Sequence, residues 1–360
     1  MTIARKEVVF DGDEGVYHCI NRCVRRAFLT GVDKMSGNNY DHRKEWIYSR
    51  LVELSEIFAV EICGYAVMSN HLHVVLRNRP DILDGFSDCE VAERWSRLYP
   101  KQFKTAYREI EAEAGIALMC KDSTRMKVLR ERLGSISWVM KCLSEPISHR
   151  ANKEDGCKGR FWEGRFKCQA LLDEAAVLTC MAYVDLNPIR AGVARTPETS
   201  EYTSAHERIE AHKAEKSVEA LEAVAKVDDL SEKQKEKITE EKLKTSKAAW
   251  LSPLDNKPKD WKQGIHGLLG MSLSEYLELL DWTGRCIHRG KRGVIPANLK
   301  PILERISIDV DNWVDSVLSF GKLFYRAVGQ VEKLVEAAKK AGKKWLHGVR
   351  ASHKCFPVST

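Results

Sequence analysis

The chain has 360 residues, 44% hydrophobic and 30% charged, which is ordinary for a soluble globular protein and leaves room for two domains. Its net charge of +7 suits a polyanionic partner without demonstrating one, and no apolar run is long enough to span a bilayer. The 11 cysteines, with no Cys-x-x-Cys pair, argue against a disulfide framework; with no signal-peptide core at the N-terminus, the expected compartment is the cytoplasm.

Gly15–Arg22 alternates as a first strand and has a basic exit, Arg22, Arg25 and Arg26. Residues 42–58 carry Trp46, Ile47, Leu51, Leu54 and Ile57 at helical spacing. Two strands follow, 60–67 and 71–77, joined by Met68-Ser69-Asn70. Successive side chains of a strand face opposite ways, so His71 and His73 share one face and Leu72, Val74 and Leu76 the other. Such a pair is either a ready-made set of metal ligands or ordinary polar surface.

Residues 80–134 are polar and mostly helical in propensity, which reads as an insertion. Ile136, Val139, Met140, Leu143 and Ile147 form another helical stripe, and residues 160–171 read as a strand. Within it Trp162 and Phe166 either stack on bases or belong to the core. Arg160, Arg165 and Lys167 either follow a phosphate backbone or form a solvated face. Asp173 is placed to cap a helix over 174–186 that stops at Pro188, with Tyr183 and Asn187 on one face of its last turn. The order strand-helix-strand-strand-helix-strand is that of an α+β, ferredoxin-like antiparallel sheet.

From 205 to 249 the chain is rich in Glu, Lys and Ala, a charged helical connector. Residues 250–360 read as a basic, mainly helical C-terminal domain with two apolar stripes, one running from Leu268 to Leu280 and one from Trp313 to Val328. Between them 284–293 reads as a glycine-punctuated basic loop, and Lys343 and Trp345 mark a basic end. These clusters are either DNA-binding or solvated surface.

The His71-Leu-His73 element, the Gly159-Arg-Phe-Trp162-Glu-Gly-Arg165-Phe-Lys167 segment and Tyr183-x-x-x-Asn187-Pro188-Ile-Arg190-Ala-Gly192 occur in this order. Together they resemble the REP-associated tyrosine transposase branch of the single-tyrosine HUH transposases, over residues 1–204. The resemblance implies a nuclease and strand transferase that cuts and rejoins single-stranded or hairpin DNA through a 5′-phosphotyrosine. Tyr183 would be the nucleophile, and His71, His73 and Asn187 the ligands of Mg²⁺ or Mn²⁺, with no nucleotide cofactor. Arg22, Arg25, Arg26, Arg160, Trp162, Arg165, Lys167 and Arg190 are the expected DNA contacts. A homodimer and association with the nucleoid fit such a protein. The chain departs from a minimal family member in its insertion and in the length that follows the tyrosine helix. The alternative is a catalytically silent DNA-binding regulator derived from a transposase.

Overall fold

The computed structural model describes residues 13–24, 28–33, 35–108, 110–225, 232–255, 267–289, 308 and 312–356. They form an α+β structure with five strands, in two compact units. The first unit takes in the described residues of 13–62 and 67–171, the second 63–66 and those from 172 onward. Among the described residues no helix is long and apolar enough to cross a membrane.

The first unit holds β1 (Gly15–Arg22), β3 (His71–Asn78), β4 (Lys167–Leu171) and the two ends of β2 (Val60–Val67), and the strand order is β2-β3-β1-β4. β1 runs antiparallel to both β3 and β4. In that register Arg22 faces His71, Ile20 faces His73 and Lys167, and His18 faces Val75 and Gln169. Alternation then sends Tyr17, Cys19, Leu72, Val74, Leu76 and Ala170 to the other side, and all are buried. The helix α1 (His42–Ile57) adds Ile47, Leu51 and Leu54 to the core.

Between β3 and β4 the chain makes five shorter helices, α2 (Pro80–Gly85), α3 (Asp88–Leu98), α4 (Pro100–Ala106), α5 (Ala112–Cys120) and α6 (Ser123–Leu133). The long α7 (Ile136–Glu154) follows and adds Val139, Met140, Leu143 and Ile147 to the core. Fully buried Arg43 joins α1 to the end of α7, donating to Glu154 and Asp155 and to the Phe28 carbonyl at 2.7 Å. A buried guanidinium survives only with such a full set of acceptors.

Residues 160–166 are not the strand their alternation suggested; only Lys167–Leu171 pairs as one. Gly159 turns the chain with φ +115°, the Glu163 amide donates to the Arg22 carbonyl, and Trp162 Nε1 donates to the Ser144 carbonyl on α7 at 2.9 Å. Bonds to Arg22 and Ser144, both distant in the chain, and one isolated bridge between Cys23 and Trp162 take the place of a strand ladder. Arg160, Arg165 and Lys167 therefore do not share the single strand face expected of them.

In the second unit α8 (Glu174–Asp185) starts at Asp173, whose Oδ1 accepts the Ala176 amide at 2.9 Å. Every residue from Ala175 to Asp185 is buried. The helix does not simply stop before Pro188. A further turn, α9 (Asn187–Arg190), forms with the proline near its start, where a missing N–H leaves no bond unmade. It ends at Gly192, with φ +70°.

The charged stretch after 204 forms α10 (Ser204–Ala225) and α11 (Glu232–Lys247), bridged by Lys242 and Glu222. α10 is more than a solvated connector, since Ala205, Ile209, Ala214 and Val218 are buried. Residues 284–289, expected as a loop, are the last turns of α12 (Leu273–Arg289); Lys291 and Arg292 lie outside the described residues. The rest is α13 (Trp313–Leu323), β5 (Ala327–Val328), α14 (Val331–Lys340) and α15 (Val349–Cys355). Trp345 is 70% exposed.

The fully buried Asp185 carboxylate holds α8 to α10 and α12. It accepts from Ser204 Oγ at 2.5 Å, the Ala205 amide at 3.0 Å and the Tyr276 hydroxyl at 2.6 Å. Burial raises its carboxyl above the usual range, against the opposing pull of Arg208 and of these donors. Asp185→Leu strands the Ala205 amide and the Tyr276 hydroxyl, leaves Ser204 Oγ only the Tyr65 carbonyl at 3.4 Å, and is expected to cost about 3 kcal/mol in denaturant unfolding. Asp185→Asn keeps an acceptor for Ser204 and Ala205 and is expected to be far milder. Because the folded carboxyl titrates above its ordinary value of 3.8, its protonation favours the folded state fully below 3.8, and that advantage is lost as pH rises through the raised value. Wild type should therefore gain stability relative to Asp185→Asn as pH falls through that window. A constant difference across it would refute the account.

Candidate functional site

The residues selected from sequence fall into two sets, one in each unit. In the first, β1 and β3 bring His71 and His73 onto one face with their rings 4.8 Å apart, nearly perpendicular. Sequence reasoning had not selected the third histidine of this face, His18. Its Nε2 lies 2.9 Å from His73 Nδ1, and its Nδ1 lies 3.3 Å from Gln169 Oε1 on β4. Burial lowers the His18 imidazole to about 4, helped by nearby His71 and opposed by the bond to Gln169, so the ring is neutral at neutral pH.

With the Gln169 and Asn70 amide oxygens turned toward the rings, one arrangement of protons satisfies this chain of bonds. The Gln169 carbonyl oxygen can only accept, so His18 Nδ1 carries the proton and His18 Nε2 is an acceptor. His73 Nδ1 must then donate to it, which leaves the lone pair of His73 on Nε2. His71 follows the same rule, with its Nδ1 2.7 Å from Asn70 Oδ1. Two amide oxygens thus set both histidines in the tautomer that offers Nε2 as a ligand atom. Orienting partners of this kind are characteristic of metal-binding histidines. His73 is 2% exposed and His71 half-buried.

Of the expected DNA contacts of this unit, Trp162 and Arg165 line one cleft with Asn21. Arg22 is exposed and pairs with Glu163 at 3.7 Å. Arg25 and Arg26 lie outside the described residues. Arg160, Arg165 and Lys167 are exposed, and Trp162 is half-buried against α7.

The second set is tightly clustered. Tyr183 is 6% exposed, with its ring 5.3 Å from that of Phe320 on α13. The Arg190 guanidinium lies over the Tyr183 ring at 4.4 Å. Its Nη2 donates both to the Tyr183 hydroxyl oxygen and to Asn187 Oδ1, each at 3.2 Å. A cation donating to a phenol oxygen stabilises negative charge that develops there. Arg190, expected to touch DNA, is thus placed to act on Tyr183. The same bond engages the oxygen by which Asn187 was expected to hold a metal.

Among the described residues no group of three or more His, Cys, Asp or Glu is placed to hold a metal ion. Residues beyond 250, expected to stand apart from the chemistry, reach the tyrosine through Phe320 and Gly321.

No family model matches the chain, and no curated protein matches it in sequence. A solved structure of a REP-associated tyrosine transposase bound to a REP hairpin is similar at 14% identity and a TM-score of 0.32, over 58% of this chain and 86% of that one. So low a score carries no weight in assigning a function.

A Cβ added at Gly321 would sit 2.9 Å from the Tyr183 hydroxyl oxygen. Alanine in place of a helical glycine ordinarily gains about 1 kcal/mol. Gly321→Ala is expected to show that gain in a Tyr183→Phe background and to lose it in wild type. Equal effects in both backgrounds, by chemical denaturation, would show that Tyr183 yields freely.

Proposed function

We propose that the protein is a metal-dependent DNA strand transferase that cleaves and rejoins single-stranded or hairpin DNA through a 5′-phosphotyrosine at Tyr183. The observation that carries this reading is the histidine pair set by two amide oxygens in the ligand tautomer, within a chain that also bears the other two sequence motifs. The order β2-β3-β1-β4, antiparallel about β1, supports a ferredoxin-like core.

In the proposed reaction the Tyr183 oxygen bonds to the scissile phosphorus as the bond to the 3′-oxygen breaks. The phenol proton passes to solvent and the leaving oxygen takes up a proton to become a 3′-hydroxyl. Arg190 stabilises the phenol oxygen as it loses its proton. The phosphotyrosine ester retains the bond energy, so a 3′-hydroxyl reverses the step and no nucleotide is consumed. His71 and His73 fit the imidazole part of a Mg²⁺ or Mn²⁺ site, and the resemblance adds Asn187, whose oxygen accepts from Arg190. When bound, such an ion supplies charge neutralisation at the phosphate. Two imidazoles favour Mn²⁺ over Mg²⁺. The burial of Tyr183 favours the second reading, a silent DNA-binding regulator.

Incubation with labelled single-stranded hairpin oligonucleotides and Mn²⁺ separates the two. Wild type is expected to form a denaturant-resistant protein–DNA adduct, and Tyr183→Phe to form none while binding DNA within about twofold of wild type, because only a hydroxyl is lost. An adduct in the variant, or none in wild type, defeats the strand-transfer reading.

His18→Phe removes the acceptor that orients His73 and is expected to weaken Mn²⁺ binding by about 10–100-fold in calorimetry, with the circular dichroism spectrum retained. His73→Ala should weaken it at least as much. Unchanged affinity in both variants would make these histidines ordinary sheet residues.

A further inference from the structure

At the end of β1 the first unit has a second feature, on the face opposite the histidines. Asn21 and Arg22 are consecutive and point to opposite sides of the sheet; Arg22 faces His71 in register, and Asn21 forms part of a cleft of about 620 Å³ between α7 and residues 162–166. We propose that this cleft receives one unpaired nucleobase of a single-stranded DNA, with the neighbouring phosphates on Lys141 and Arg165. The DNA substrate class rests on the strand-transfer reading.

Size, shape and charge agree. The volume lies in the range that encloses small ligands and holds one nucleoside. Trp162 and Phe166 line one side, and the Trp162 ring is held by its bond to the Ser144 carbonyl. An immobilised indole loses little freedom when a base stacks on it, and every base has a face to stack. Buried Met140 also lines the cleft, and Asn21 Nδ2 is tied to Ser144 Oγ at 2.5 Å. Lys141 and Arg165 are exposed among the lining residues, suited to the phosphates of the same strand.

Glu145, also exposed on the cleft, repels phosphate but accepts from an exocyclic amine. The base taken should therefore be cytosine, adenine or guanine rather than thymine. Because the cleft and His71 share one end of the sheet, a strand bound at the histidines reaches the cleft by passing the end of β1. The recognised base then lies a few nucleotides from the phosphate held there.

The test measures binding of the full chain, by fluorescence anisotropy, to hairpin-flanked oligonucleotides that each carry one abasic nucleoside. One position is expected to weaken wild-type binding by about tenfold when its base is removed. Thymine at that position should be as poor as the abasic residue. Ser148→Trp, which fills the cleft, should lower affinity for the intact oligonucleotide by the same factor and abolish the abasic penalty there. Phe166→Leu should do the same in part, and covers the case in which the larger substitution unfolds the protein. If no position is sensitive, or if both folded variants keep the wild-type pattern, the cleft is not a base site. Adduct formation on the same oligonucleotides tells the two readings apart. An adduct without a cleft-dependent base overturns only the cleft, whereas a cleft-dependent base without an adduct overturns only the strand transfer.

Discussion

The register of β1 between its two neighbours is the constraint on which the histidine face depends. With His18 opposite Val75 and Gln169, and Ile20 opposite His73, three polar side chains meet on one side of a sheet whose other side is core. A shift of one residue would turn His18 into that core and bring Tyr17 and Cys19 out. The apolar face enforces the register, and the polar face inherits it. The site is thus positioned by hydrophobic burial that contains none of its chemistry.

The second unit solves a comparable problem at higher risk. Tyr183, Asp185 and Asn187 are alternate residues on a helix, so Asp185 points away from the other two. Its carboxylate fixes the back of α8 while Phe320 and Arg190 enclose the tyrosine at the front. A buried carboxylate is a poor source of net stability even when every oxygen is bonded. What it supplies is direction, because only one rotation of the helix satisfies Ser204, Ala205 and Tyr276 together. The aromatic contact at the front needs that rotation too, and Gly321 lets α13 approach closely enough to make it.

The sequence was most legible where a period was strong. The strand Gly15–Arg22, the strand pair about His71 and the helices on Ile47 and Val139 follow directly from alternation or a 3.6-residue stripe. The tyrosine helix was found by its cap and its proline, although the proline begins a further turn. Residues 160–166 misled because their alternation arises from bends held by Arg22 and Ser144, partners far away in sequence. The segment 284–289 misled because glycine ordinarily breaks a helix, whereas Gly284 lies within α12, where a Cβ would meet Ile189 Cδ1 at 3.2 Å. His18 carried a signal that went unused, as a histidine alternating with apolar residues on the strand paired with β3. Asp185 carried another, as the one carboxylate between Ala175 and Leu186. Phe320 belonged to an expected apolar stripe, but no local pattern announced that it and Gly321 meet Tyr183 across more than a hundred residues of chain.

The bond from Gln169 through His18 to His73 has a consequence for how such a chain can change over time. Each member is correct only because of the next, so position 169 is read out at position 73 without touching it. Replacement of Gln169 by an apolar residue leaves His18 without its acceptor, and the strand then gains by exchanging His18 as well. Among descendants of this sequence, positions 18, 73 and 169 are expected to be kept together or lost together, while Leu72 and Val74 drift freely among apolar residues.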